Sequence, residues 1–274
     1  MNYILKISAA GNRFILIDKR WFNKVPENSS DYFYPCPFSF ESFLSSFRQN
    51  LILRKKQISY FISQPQLTLT DGCIILREER ESLICDFYNK DGSQAEMCGN
   101  AACCISFYLE DLNLNVKNFR LGEKKILTVP KGGIILDKPK NPILTFHKPF
   151  FFSFIDTGVP HGVIYFPHLD FKESRKLKKK VEKLRFQNIN SYNKGMNVSF
   201  YEVLSPNHLK AITYERGVED FTLSCGTGAL AVSLVYKEIA NKTEGEIKVQ
   251  MPGGTLKIVT GQKLKLFSQV KKGF

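Results

Sequence analysis

The chain has 274 residues, 43% apolar and 24% charged, a composition that fits one large globular domain or two of ordinary size. Its net charge of +13 points toward anionic partners, yet no zinc-finger spacing, aromatic RNA-binding signature or basic zipper accompanies it, so no nucleic-acid binding is expected. No run reaches the roughly 20 apolar residues of a membrane span, and the opening residues do not form a secretory signal, so a cytoplasmic protein without membrane contact is expected.

In chain order, short runs rich in β-branched and aromatic residues predict strands at 3–7, 14–17, 73–76 and 83–88. A helix-like stretch, Ala101 to Leu109, follows. Further strands are predicted at 126–129, 134–136, 163–166, 198–203, 211–214 and 247–250, with Gly, Pro and Asn in the gaps. The Lys-rich run 172–183 predicts an exposed helix, with Leu177, Val181 and Leu184 at helical spacing. A second small-residue helix is predicted over Ala229 to Ala240. Both small-residue helices are apolar nearly all round, which predicts one buried helix in each half, surrounded by strands.

The two helices open alike. Cys98-Gly99-Asn100-Ala101 and Cys225-Gly226-Thr227-Gly228 begin segments in which Cys, Gly, Ala and Ser recur at matching offsets, 127 residues apart. A tyrosine-bearing strand precedes each at similar spacing. The repeat predicts a duplicated domain: one domain over 1–120, a second over 121–261, and a tail, 262–274, free to return to the first.

Seven cysteines, irregularly spaced in a chain without a signal, do not make a disulfide framework. The four histidines, at 147, 161, 168 and 208, are too scattered for a metal site. Cys36, Cys73, Cys85, Cys103 and Cys104 read as small core hydrophobes. Cys98 and Cys225 differ, because each stands where a helix starts. There the helix dipole and the unpaired N–H groups favour a thiolate and lower its pKa, and the N–H groups behind each thiol can hold a carboxylate. Two such motifs face to face would set one thiol on each side of a carbon next to a carboxylate. One thiolate removes the α-proton and the opposite thiol returns a proton to the other face, inverting the centre without metal, nucleotide or pyridoxal.

Ala10-Gly-Asn-Arg-Phe-Ile-Leu-Ile-Asp18, Tyr88-Asn-Lys-Asp-Gly-Ser93, Glu96-Met-Cys-Gly-Asn100, Pro160-His161, Asn197-Val198, Tyr214-Glu-Arg-Gly217, Cys225-Gly-Thr-Gly228 and Pro252-Gly-Gly254 stand in this order along the chain. With these motifs the sequence resembles the diaminopimelate epimerase family over nearly its whole length. The resemblance implies an α+β fold of two similar domains, each a strand-rich, barrel-like sheet around a central helix, with the active site in the cleft. It implies cofactor-independent interconversion of LL- and meso-diaminopimelate, a step toward lysine and peptidoglycan, and is compatible with a homodimer. It makes Cys98 and Cys225 the catalytic pair, supported by His161 and Glu215. It assigns the reacting carboxylate to the backbone at Gly99, Asn100, Gly226 and Thr227, and the rest of the substrate to Asn12, Asn89, Asn197, Glu215 and Arg216.

These residue types suit a substrate with an amine and a carboxylate at each end, since Arg216 can grip a second carboxylate with two parallel hydrogen bonds. Taken alone, Arg216 equally suits a surface ion pair with Glu215 or Glu219, and His161 a satisfied loop histidine. The chain departs from the family pattern at Arg13, Val159, Ala101 to Cys104 and residues 67–70. A proline- or hydroxyproline-type racemase, a broadened range that takes in glutamate, and a non-catalytic binding domain are the alternatives. The retained Cys-Gly pairs disfavour the binding domain.

Overall fold

The computed structural model describes residues 4–20, 70–95, 97–139, 143–146, 152–185, 195–242 and 244–273. Cys36, His147 and Glu96 lie outside the described residues. In the first half, β1 (Ile4–Ala9) and β2 (Asn12–Asp18) form an antiparallel pair, and β3 (Gly72–Glu79) runs parallel to β2. Next come β4 (Ser82–Asn89), antiparallel to β3, the short β5 (Gln94–Ala95) and the helix α1 (Gly99–Asp111). β6 (Asn118–Leu121) lies parallel to β4, and β7 (Lys124–Val129) and β8 (Gly133–Leu136) extend it antiparallel.

The same order then recurs. After β9 (Leu144–Phe146), β10 (Phe152–Asp156) and β11 (Pro160–Tyr165) form an antiparallel pair. A 3-10 turn over Phe171–Leu177 leads into α2 (Lys178–Leu184). β12 (Asn197–Ser205) runs parallel to β11, and β13 (His208–Glu215) is antiparallel to β12. The short β14 (Asp220–Phe221) and α3 (Gly226–Ile239) follow. β15 (Gly245–Met251) is parallel to β13, and β16 (Gly254–Thr260) and β17 (Leu264–Ser268) continue antiparallel. Each half is thus a pair, a parallel strand, an antiparallel strand, a short strand, a helix and a closing set of three. The fold is α+β, two similar strand-rich domains each wrapped on one helix.

Strand pairing places no break at residue 120. Sheet neighbours of β4 continue through β6 and β7 to β8, because α1 rests on β7 and β8 as well as β1. The last strands cross between the halves. β17 pairs with β16 on one side and β8 on the other, and β18 (Val270–Lys272) pairs with β1.

The helices form because their sequences leave no alternative to burial. In α1, Ala101, Ala102, Cys103, Cys104 and Ile105 are fully buried, as are Ala229, Ala231 and Val232 in α3. Both helices belong to one continuous apolar cluster with the inner faces of the strands. Each ends alike, at Leu112 and Ala240, followed by an asparagine in the left-handed region, Asn113 at φ 55° and Asn241 at φ 50°. A second cluster covers the outer face of β10, β12 and β13, where Phe152, Phe154, Val198, Phe200 and Ile212 meet Leu177, Val181 and Leu184. The lysine-rich run therefore sits as its periodicity predicts, with its three apolar residues down and its lysines out. Each such side chain contributes on the order of 1.5–3 kcal/mol. No helix among the described residues is long and apolar enough to cross a membrane.

Candidate active site

Cys98 and Cys225 are the N-cap residues of α1 and α3. Both are extended, Cys98 at φ −141°, ψ 111° and Cys225 at φ −127°, ψ 114°. The two helix starts touch. A Cβ added to Gly99 would lie 3.5 Å from the Gly226 Cα, and one added to Gly226 would lie 3.4 Å from the Gly99 Cα, with Leu266 of β17 beneath both. The two glycines meet in ordinary van der Waals contact, and an added Cβ at either would press on Leu266 Cδ2, at 2.9 Å and 3.0 Å. The two Cys-Gly dipeptides therefore lie against each other at the helix starts.

Cross-links hold the halves in this register. The Asn100 amide donates to Ser224 Oγ at 3.0 Å, and its carbonyl oxygen accepts from Ser268 Oγ at 3.2 Å. Asn12 donates to the Ser224 carbonyl at 3.1 Å. Asn89, at the end of β4, is exposed and donates to Ser93 Oγ at 3.0 Å. Of the expected substrate-binding asparagines, Asn12 and Asn100 bridge the two halves, whereas Asn89 is turned into its own loop.

Cys225 Sγ accepts from the Gly228 N–H at 3.3 Å and lies 3.3 Å from Thr227 Oγ1. Glu215, at the end of β13, lies near enough for its charge to act on the Cys225 thiol and accepts a short hydrogen bond from Thr222 Oγ1. Burial pushes the Glu215 carboxyl above its ordinary range. The thiols go the same way, which corrects the expectation of low values from helix position. Burial pushes Cys98 up to about 12, and the N–H groups of Ala101 and Asn100 offset only part of that. Cys225 rises well above 9.0, first from burial and then from the Glu215 charge, which also acts on Cys98. Desolvation here outweighs the dipole, because a helix terminus stabilises an anion by at most about 2 kcal/mol.

His161 is fully buried on β11, not in a loop. Its network has a fixed polarity. The Arg216 N–H donates to Asn197 Oδ1 at 2.8 Å, so Asn197 Nδ2 is the donor toward His161 Nε2 at 3.3 Å. Nε2 then accepts, and Nδ1–H donates to Ser199 Oγ at 3.3 Å, with Thr213 Oγ1 3.0 Å further on. Thr227 Oγ1 lies 3.1 Å from Nε2, so the Thr227 hydroxyl stands between His161 and Cys225. Burial, reinforced by Arg216, lowers the His161 pKa to about 3. The ring is therefore a neutral acceptor at physiological pH.

Arg216 forms neither of the ion pairs that a lone arginine suggested. Its Nη1 donates to the Gly195 carbonyl at 3.1 Å, and Glu219 is held instead by Arg185. Ser199, Thr213, Thr222 and Ser224 were not singled out from sequence. Their signal was there, since Asn197 and Ser199 on β12, and Thr213 and Glu215 on β13, are polar residues two apart that alternate with apolar ones. Gly228 makes room for this ladder: a Cβ there would sit 2.3 Å from Thr213 Oγ1.

Known proteins resemble this chain in sequence and in fold. Residues 153–273 match the sequence model of a family described as diaminopimelate epimerase. The chain is 36% identical over 196 residues to the diaminopimelate epimerase of Thermotoga maritima, covering 68% of this chain and 76% of that protein. This chain belongs to the diaminopimelate epimerase family. A diaminopimelate epimerase of Leptospira biflexa is 28% identical over 268 residues, covering 86% of this chain and 90% of that one. As a member of the diaminopimelate epimerase family, the protein is an isomerase of the epimerase class. Its fold extends to more distant proteins. A PhzF-family phenazine biosynthesis protein of Bacillus anthracis aligns with TM-score 0.59 at 11% identity, over 99% of this chain and 98% of that one. A hydroxyproline epimerase of Agrobacterium vitis, bound to trans-4-hydroxy-L-proline, aligns with TM-score 0.54 at 11% identity, over 99% and 90%. At that distance these two speak for the fold alone.

Proposed function

We propose that this enzyme epimerises LL-2,6-diaminopimelate to meso-diaminopimelate with Cys225 and Cys98 as the acid–base pair, a reaction that supplies precursors of lysine and peptidoglycan. The observation that carries the reading is the contact of the two Cys-Gly helix starts, with Glu215 acting on both thiols. The substrate's reacting carboxylate lies between the two N-termini on the backbone of Gly99, Asn100, Gly226 and Thr227.

The raised thiol values shape the mechanism. A buried pocket tolerates one negative charge far better than two. Glu215, close enough to act on Cys225, carries it at rest and takes the Cys225 proton, so the charge moves to sulfur without a net change in the pocket. The Gly228 N–H stabilises that thiolate. Cys225 then removes the α-proton, and Cys98, kept protonated by burial and by the Glu215 charge, delivers its proton to the opposite face. The charge ends on Cys98, which is partly open to solvent and regains a proton there while Glu215 loses one. His161, held neutral, fixes the Thr227 hydroxyl. Arg216 takes the far carboxylate, Asn12 and Asn197 line the remainder of the site, and Asn89 joins them only by leaving its bond to Ser93.

The test is incubation with LL-diaminopimelate in heavy water and no added cofactor. The expected product is meso-diaminopimelate carrying one α-deuterium, because the delivered proton comes from a thiol that exchanges with solvent. Folded protein that leaves the LL isomer unchanged and unlabelled, or that works only with added pyridoxal phosphate, would overturn the proposal.

A further inference from the structure

The turn that carries Glu215 and Arg216 is unusually well fastened. The Glu219 N–H donates to the Glu215 carbonyl at 2.9 Å, closing the turn. The Gly217 N–H donates to Glu219 Oε1 at 3.0 Å, and the Tyr214 hydroxyl donates to the Glu219 carbonyl at 2.6 Å. Onto this carboxylate comes Arg185, the C-cap residue of α2, which donates from Nη2 to Oε1 at 2.8 Å and from Nη1 to Oε2. The pair is bidentate, the strong form of such contacts. The Arg185 guanidinium stacks 5.5 Å from the Tyr214 ring centroid and is largely buried, while Glu219 is half exposed.

Arg185 also grips the other side of Arg216. Its carbonyl accepts from the Met196 N–H at 2.9 Å. Met196 lies between Gly195, whose carbonyl holds the Arg216 guanidinium, and Asn197, whose side chain holds the Arg216 N–H. One residue at the end of a lysine-rich helix thus fastens both the turn that presents Arg216 and the strand start that receives it.

We infer that Arg185 is a positioning residue for substrate binding, fixing Arg216 in the single orientation that receives the carboxylate remote from the reacting carbon. The inference rests on the role proposed above for Arg216. Arg185 itself touches neither thiol nor the proposed carboxylate cradle. It acts by holding a flexible side chain ready, so that less conformational freedom is lost when the substrate binds. The Arg185–Glu219 pair therefore affects binding of the far end and leaves proton transfer at the near end alone.

The experiment measures kcat and KM for LL-diaminopimelate in wild type, Glu219→Gln, Arg185→Lys, Arg185→Ala, Arg216→Ala and the double variant Glu219→Gln/Arg216→Ala. Glu219 is half exposed, so Glu219→Gln keeps the fold even if Arg185→Ala does not. Glu219→Gln is expected to raise KM about tenfold while kcat falls less than about threefold, a loss of binding without loss of chemistry. Arg185→Lys keeps a charge without the fork and is expected to fall between wild type and Arg185→Ala. In the double variant the Glu219→Gln effect should vanish, because there is no Arg216 left to position. If Arg216→Ala raises KM but Glu219→Gln and Arg185→Lys do not, the inference fails and the proposed role of Arg216 stands. If Arg216→Ala leaves KM unchanged, that role fails and the inference falls with it. A Glu219→Gln effect that persists undiminished in the double variant overturns the inference as well.

Discussion

Lowering the pH should destabilise this protein through one buried ring. His161 is fully buried among Asn197, Ser199 and Thr227, and its pKa falls from 6.5 to about 3 because burial, and then Arg216, oppose the charged form. Between those values the unfolded chain binds a proton at this position and the folded chain does not. Stability therefore drops as pH falls through 6.5, by about 1.4 kcal/mol per unit well below it. From pH 7.5 to 5.0 the His161 contribution amounts to about 2 kcal/mol. Urea unfolding of wild type and His161→Gln at both pH values isolates it, since every other group titrates alike in the two proteins and cancels. Wild type should lose about 2 kcal/mol more than the variant over this interval. Equal losses would refute the argument, showing that the imidazole accepts a proton in the folded state as readily as in the unfolded one.

The same burial governs the thiols: alkylation of Cys98 in the free enzyme, followed by mass spectrometry, should accelerate steadily from pH 7 to 10, and a plateau below pH 8 would contradict a value near 12. Cys98→Ala and Cys225→Ala should each abolish turnover with the circular dichroism spectrum unchanged, while Cys85→Ala retains it; near-normal epimerisation by Cys225→Ala would break the two-thiol assignment. Gly228→Ala should cost about 1–3 kcal/mol in thermal or urea unfolding, because its methyl meets the Thr213 hydroxyl, and should lower kcat by disturbing the hydroxyl ladder beneath His161. Unfolding and turnover both equal to wild type would show that the ladder yields freely.

The strands that were legible in the sequence are those with compact apolar runs, such as 14–17, 73–76 and 211–214. Both central helices were legible from small-residue composition alone. β10, β16 and β17 went unread; Lys257 and Lys265 dilute the apolar pattern of the last two. The facing cysteines were legible because duplication placed them at matched offsets. Their ionisation was not. A helix start is a local feature, whereas the desolvation that outweighs it depends on how two distant halves close over the pocket. Arg185 escaped notice for a related reason. Within its own segment it is one more cation after a lysine run, and only the chain's path across the face of β13 brings it to Glu219.

The crossing strands bear on the order in which this protein can be made. β18 pairs Ile7 with Lys272, and β17 pairs Leu266 with Ile134 while lying under both Gly99 and Gly226. During synthesis α1 emerges long before these strands exist, so its wrapping stays open along β1 and β8 until the last strands are released. The first half matures only after the second, and pairings so remote in sequence are slow to form. Both thiols thus reach their final surroundings in one late event rather than in two successive ones. A cut in the turn before Leu264 would leave β17, which lies under both glycines, held to the two halves by strand pairing and packing alone.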